Sequence, residues 1–132
     1  MQYEFENFHS VPAAIVYCLD PRFRRQHTQF IERELGFDRF DSYSFPSGPR
    51  MIVQEESRGI FLGNIGRVSV GLHHIGEIVL IAHRDCGAYG GSAAFPGPAE
   101  EKATQVEDLK IARGVLIERF PGIDGYHVLY GN

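Results

Sequence analysis

The run Glu77–Ala82 (EIVLIA) decides the fold, because five apolar residues in a row, opened by Gly76, fit a strand that is buried on both faces. A second run of this kind, Ala13–Cys18 (AAIVYC), lies near the start of the chain. Strands that lack polar alternation are typical of parallel sheets covered by helices on both sides. The two runs therefore predict the central strands of a parallel sheet.

Helical patterns separate these strands from two weaker ones. The apolar spacing predicts helices at Arg22–Leu35 and at Ala99–Phe120, and further strands at Arg39–Phe45 and Tyr126–Tyr130. Four glycines between Arg50 and His74 disfavour a regular helix, so low regularity is predicted for residues 50–63 and a helix only for Asn64–His74. Alternating strands and helices predict a single α/β domain over residues 1–132, with an open, mostly parallel sheet of about four strands in the order 2-1-3-4.

The inner face of the last helix is predicted from its apolar residues. These residues are Ala103, Val106, Leu109, Ala112, Leu116 and Phe120.

Composition excludes several classes of function. The 132 residues are 43% apolar and 23% charged, with a net charge of −4, as in an ordinary globular protein. A net negative chain is not expected to bind nucleic acid or an anionic membrane. No apolar run approaches the roughly 20 residues that span a bilayer, and acidic residues stand where a signal peptide carries positive charge. We therefore expect a cytoplasmic protein.

Both cysteines follow the predicted central strands. Cys18 ends the first strand, and His83 and Cys86 come just after the third. In the order 2-1-3-4 the carboxyl ends of these two strands meet at the switch point, where open α/β sheets bind ligands. Two thiolates and one imidazole suit zinc, and three protein ligands leave a fourth position open, as in catalytic sites. A disulfide between the cysteines is the alternative, which a reducing compartment disfavours.

Asp20 and Arg22 lie within reach of the same open position. A carboxylate bound there would close the site, whereas Arg22 can hold Asp20 away through a bidentate ion pair. Asp20 is then free to accept a hydrogen bond from the group bound to the metal. Zinc lowers the pKa of a bound water to about 7, and the resulting hydroxide attacks carbon dioxide and similar small electrophiles.

The ordered pair Cys-x-Asp-x-Arg and His-x-x-Cys-Gly resembles the signature of the β-class carbonic anhydrases. The resemblance implies that Cys18, His83 and Cys86 bind zinc and that Asp20 and Arg22 form the catalytic pair that controls the fourth position. It also implies reversible hydration of carbon dioxide to bicarbonate, and a homodimer or higher homo-oligomer with its active sites near the subunit interface.

The chain departs from that family at three places, and alternatives stay open. Pro21 stands where a small residue is usual, and Phe45–Pro49 replaces a segment of the Arg-Asn-Ala-Gly type. Only about twelve residues precede the first predicted strand, where larger relatives carry long N-terminal helices, so a short, minimal member is expected. Similar motifs occur in hydrolases of carbonyl sulfide and carbon disulfide. A non-catalytic zinc-binding homologue that Asp20 closes is a third interpretation, and a thiol–disulfide switch between Cys18 and Cys86 is a fourth.

Other polar and aromatic residues near the motifs are assigned ordinary roles. Arg84 and Asp85 are predicted to supply polarity or support rather than catalysis, and the pair His73 and His74 to form a solvated helix end. Gly87, Gly90 and Gly91 lack a phosphate-loop spacing and predict tight turns beside the metal. The aromatic residues that could line a small apolar pocket are Tyr43, Phe45, Phe61 and Tyr89.

Overall fold

The computed structural model describes residues 1–132 and contains one four-stranded parallel sheet in the order β2-β1-β3-β4. The strands are β1 (Ala13–Cys18), β2 (Phe40–Phe45), β3 (Glu77–His83) and β4 (Gly125–Gly131). The helices are α1 (Arg24–Arg33), α2 (Arg50–Val53), α3 (Glu55–Asn64) and α4 (Pro98–Arg119), and a π-helical turn spans Ile65–Val70. The predicted α/β class and strand order are confirmed.

Helices cover the two faces of the sheet unequally. Helices α2, α3 and α4 pack on one face over the larger core, which includes Val16 and Leu80, whereas the smaller core on the α1 face includes Ile15 and Ile81. Successive side chains of a strand point to opposite faces. Cys18 therefore lies on the face of the larger core, and His83 lies on the α1 face. Both residues end their strands at the same edge of the sheet.

The segment from residue 50 to residue 63 is helical, so the prediction of an irregular stretch was wrong. Gly59 and Gly63 have open space where a Cβ atom would lie, and each costs the helix only about 1 kcal/mol. Ile52, Phe61 and Ile65 are buried, and their packing outweighs that cost. The helix predicted at Asn64–His74 is instead the end of α3 and the π-helical turn, which stops at Val70.

The inner face of α4 also differs from its prediction. Ala103 is exposed, whereas Glu101 and Gln105 are buried together with Leu109 and Ala112. The first turns of α4 face the loop that follows β3, and the Glu101 carboxylate accepts a hydrogen bond from the backbone of that loop. The hydrogen bond between Asp85 and Glu101, rather than apolar packing, therefore determines which side of the first turns of α4 faces the protein.

His73 is held in a polar network and does not form a solvated helix end. Its Nδ1 atom lies 2.8 Å from both carboxylate oxygens of Asp41, and the Ser69 hydroxyl donates to Asp41 at 2.7 Å. The Tyr43 hydroxyl lies 2.6 Å from Ser69 Oγ. This network ties the edge strand β2 to the π-helical turn.

No helix of the chain combines the length and the apolar character needed to cross a bilayer.

Candidate metal centre

Three buried side chains place metal-binding atoms close together at the carboxyl edge of the sheet. The two sulfurs and one imidazole nitrogen of Cys18, His83 and Cys86 all lie within 4.8 Å of one another. The two Sγ atoms are 4.0 Å apart, and both cysteines are free. The topology thus brings together residues that are far apart in sequence, in a group that could hold a metal ion.

Different elements present the three donors. Cys18 reaches the site from the last position of β1, and His83 reaches it from the last position of β3 on the opposite face. The His83 ring packs against Phe23, with ring centroids 4.4 Å apart. Cys86 is turned back toward the strand ends because Asp85 adopts a φ of 55°. The donor group therefore sits across the end of the sheet, between its two faces.

The His83 imidazole has one free nitrogen that points to a missing partner. Its Nδ1 atom lies 2.6 Å from the carbonyl oxygen of Arg84, which can only accept, so Nδ1 carries the hydrogen. Nε2 is then a buried acceptor without a partner. A buried unpaired polar atom is destabilising, and metal-binding histidines commonly donate their other N–H to a carbonyl in this way. The imidazole therefore fits a metal ligand.

Hydrogen bonds around the thiols favour ionisation of one of them. The pKa of Cys18 is lowered, chiefly by the hydrogen bond with Cys86 and further by the adjacent His83 side chain and the backbone N–H groups of Asp20 and Ser47. The same hydrogen bond, together with burial, raises the pKa of Cys86. Two interacting thiols lose their protons as a pair, and the second leaves less readily than the first. A bound cation would compensate both negative charges.

The turn after β2 delivers one of those backbone N–H groups. Ser47 and Gly48 have φ values of 62° and 73°, and both residues are buried. A Cβ atom at Gly48 would lie 2.6 Å from backbone atoms of Tyr17, so the close approach of this turn to β1 requires glycine. This is the stretch in which the chain departs from the family pattern. Its backbone nevertheless contacts both thiols.

Arg22 binds Asp20 beside the group of Cys18, His83 and Cys86. The guanidinium places Nε 3.1 Å from both carboxylate oxygens of Asp20 and Nη2 2.7 Å from Oδ2. The hydrogen bond from Arg22 lowers the pKa of Asp20 to about 2. Asp20 is ionised at neutral pH, and its carboxylate is not one of the clustered donor atoms.

Two further residues support the site: Asp85, for which polarity or support was predicted, and Glu101, which was not recognised in the sequence. Asp85 accepts a hydrogen bond from Arg22 Nη1 at 2.8 Å and another from the Ser92 N–H at 2.8 Å. Glu101, which is 3% exposed, accepts hydrogen bonds from the Asp85 N–H and the Ser92 hydroxyl. The signal for Asp85 was its position in the sequence between His83 and Cys86, the two proposed metal ligands that follow β3. Glu101 gave none, since glutamate is common in the first turn of a helix.

An apolar cavity of about 260 Å³ opens on the same face of the sheet as Cys18. Its aromatic lining is formed by Tyr43, Phe45 and Phe61, as anticipated. Phe45 pairs with Cys18 in the sheet register, so the cavity begins one strand away from the donor group. Tyr89 is not part of the lining, because its hydroxyl donates to Asp108.

Comparison with known proteins places the chain in a family. The model of the family described as "Putative carbonic anhydrase" matches residues 9–124. The chain is 28% identical to an uncharacterized protein of Rickettsia conorii over 123 residues, which cover 89% of this chain and 66% of the relative. It is 31% identical to an uncharacterized protein of Rickettsia bellii, with 89% and 74% covered. No solved structure gives a significant match.

A family match over most of the chain is decisive for membership. The chain belongs to this carbonic-anhydrase family. It spans about two thirds of the length of the first of the two relatives.

Proposed function

We propose that the chain is a zinc-dependent carbonic anhydrase that catalyses the reversible hydration of carbon dioxide to bicarbonate. One observation carries the proposal: the buried group of Cys18, His83 and Cys86, with its unpaired imidazole nitrogen, stands beside the Asp20–Arg22 ion pair in a chain of this family. The donor set and its geometry support zinc, which favours tetrahedral sites built from thiolate and imidazole.

Cys18, His83 and Cys86 would hold the metal. Zinc with three protein ligands lowers the pKa of a water in its fourth position to about 7 and so supplies a hydroxide nucleophile at neutral pH. The Arg84 carbonyl fixes the tautomer and orientation of the imidazole. The N–H groups of Asp20 and Ser47 stabilise the Cys18 thiolate.

Asp20 and Arg22 would act on the open position. An ionised Asp20 only accepts hydrogen bonds, so it can orient a hydrogen-bond donor bound at that position. Arg22 occupies both oxygens of Asp20 and so opposes its binding to the metal. This geometry argues against a homologue that Asp20 closes permanently.

The apolar cavity, which begins at Phe45 on the strand beside Cys18, supports a small apolar substrate. Its aromatic walls, with Met51 and Ile60, suit an uncharged linear molecule such as carbon dioxide. Carbonyl sulfide and carbon disulfide share that shape, so the cavity does not separate them from carbon dioxide.

Parallel assays on zinc-loaded protein test the proposal and separate these substrates. We expect stopped-flow measurements to detect carbon dioxide hydration above the uncatalysed rate, and sulfide release from carbonyl sulfide to be slower. Cys18→Ser should lose the activity together with the metal. Sulfide release without carbon dioxide hydration would assign the chain to the hydrolases instead. Zinc bound without either activity, from mildly acid to alkaline pH, would support a non-catalytic role.

We also propose that the chain works as a homodimer or higher homo-oligomer in the cytoplasm. Ile60, 74% exposed at the mouth of the apolar cavity, and Phe45 beside it form an apolar surface that a second copy could cover. A site that needs both thiols reduced favours a reducing compartment. Analytical ultracentrifugation should find a dimer or larger species, and a monomer at micromolar concentration would contradict the oligomer.

A further inference from the structure

Arg22 is held from both sides by carboxylates. Asp20 binds its Nε and Nη2 atoms, and Asp85 binds Nη1 at 2.8 Å, while the backbone oxygen of Asp85 accepts from Nη2 at 2.9 Å. The Arg22 side chain is 54% exposed, so packing does little to fix it. Its orientation therefore depends on these acceptors, and Asp85 supplies two of the contacts.

Asp85 is itself anchored independently of Arg22. Its Oδ1 atom accepts from the Ser92 N–H at 2.8 Å, and its own N–H donates to the buried carboxylate of Glu101. Its φ of 55° is a conformation that aspartate and asparagine tolerate better than most residues. A chain of hydrogen bonds thus connects Glu101 on α4 to Asp85, and Asp85 to Arg22. Arg22 in turn binds Asp20.

We propose that Asp85 is a positioning residue that holds Arg22 in the orientation that keeps the Asp20 carboxylate away from the metal. The proposal rests on the zinc centre proposed above and adds a residue that controls whether Asp20 reaches the fourth position of the metal. With Asp85 in place, Arg22 engages both oxygens of Asp20. Without it, the exposed Arg22 guanidinium loses the charged acceptor that fixes its direction and can turn away, which releases Asp20, two residues from Cys18, to occupy the fourth position.

Asp85→Asn tests this contact with little other change. Asparagine keeps the acceptor for Ser92 and tolerates the positive φ, but it turns an amide NH₂ toward Arg22, which offers only donors. The matched control is Asp38→Asn, which removes the same charge from an exposed residue far along the chain. The rescue is Asp20→Ala combined with Asp85→Asn, because an alanine cannot bind the metal.

The measurement is binding of thiocyanate to the cobalt-substituted proteins, followed by their visible absorption. Thiocyanate needs an open position on the metal. We expect the wild type and Asp38→Asn to bind it equally, Asp85→Asn to bind it about tenfold or more weakly, and the double variant to regain wild-type affinity. The pH profile of binding should shift in Asp85→Asn and return in the double variant.

Several outcomes would overturn the proposal. Equal affinity of Asp85→Asn and the wild type would do so, as would a loss that persists in the double variant or appears equally in Asp38→Asn. A wild type that does not bind thiocyanate, or an Asp85→Asn protein that folds but takes up no cobalt, would also count against it. Arg22→Lys provides a second variant, expected to weaken binding like Asp85→Asn. If carbon dioxide hydration is absent but this binding pattern holds, the proposed function fails and the role of Asp85 stands.

Discussion

The sulfurs of Cys18 and Cys86 lie 4.0 Å apart at the end of the sheet, and the buried Nε2 atom of His83 has no hydrogen-bond partner in the same group. Two thiols and an imidazole thus place three potential metal ligands within 4.8 Å of one another, and the imidazole nitrogen lacks a hydrogen-bond partner. Such an arrangement is destabilising without a cation and complete with one.

Replacing His83 should remove the metal. His83→Gln takes away the imidazole donor, and we expect zinc content, measured by atomic emission on untagged protein, to fall from about one per chain to less than about a tenth of that. The control is His127→Gln, because His127 lies on β4 in an exposed pair with Glu77. Equal zinc in the two variants would show that His83 is not a ligand.

Removing the charge of Glu101 should loosen the loop that carries Cys86. Glu101→Gln keeps one oxygen for the Asp85 N–H and turns an amide toward Ser92, so two hydrogen bonds to a charged group become neutral ones, at a cost of about 1 kcal/mol. Urea unfolding should show a loss of that size. Glu107→Gln, an exposed change on the same helix, should stay within about 0.5 kcal/mol of the wild type. If both variants unfold alike, Glu101 does not support the loop.

Gly48 should tolerate no side chain, whereas Gly36 should tolerate one at modest cost. Both have a positive φ, which costs a residue other than glycine about 1–2 kcal/mol. A Cβ at Gly48 would also overlap the backbone of Tyr17 at 2.6 Å, and one at Gly36 would meet nothing within 4 Å. Gly48→Ala should therefore lose about 1–3 kcal/mol more than Gly36→Ala in urea unfolding. It should also bind zinc more weakly, since Ser47 moves with it.

Stability should fall at alkaline pH through Tyr89. Burial and the hydrogen bond to Asp108 raise the pKa of Tyr89 above its usual value near 10. A raised folded pKa contributes stability that is complete below pH 10 and is lost as the pH rises through the folded pKa. The free energy of unfolding of the wild type should thus fall as the pH rises above about 10. Tyr89→Phe should show a shallower fall, and the exposed Tyr3→Phe should follow the wild type.

The sheet was predictable because its signals are local. Continuous apolar runs identified β1 and β3, and handed crossovers limited the strand order. Helix α3 was not predictable from propensity, because Gly59 and Gly63 disfavour a helix that the burial of Phe61 and Ile65 stabilises. Propensity is local, whereas that burial depends on the assembled sheet.

The proposed ligands could be named from sequence, but the hydrogen bonds of Asp85 and Glu101 beside them could not. Cys18, His83 and Cys86 stand at strand ends, so the topology alone brings them together. The contact of Asp85 with Arg22 depends on a backbone φ of 55°, and the contact of Glu101 depends on the rotation of α4. Neither the φ of Asp85 nor the rotation of α4 about its axis produces a periodic pattern in the sequence.

The zinc dependence of activity is the sharpest test of a zinc-dependent carbonic anhydrase. Metal-free protein is given increasing amounts of zinc, and carbon dioxide hydration is followed by stopped flow at each step. We expect the rate to rise linearly and to stop rising at about one zinc per chain. No rise above the uncatalysed rate in protein that has taken up its zinc would contradict it.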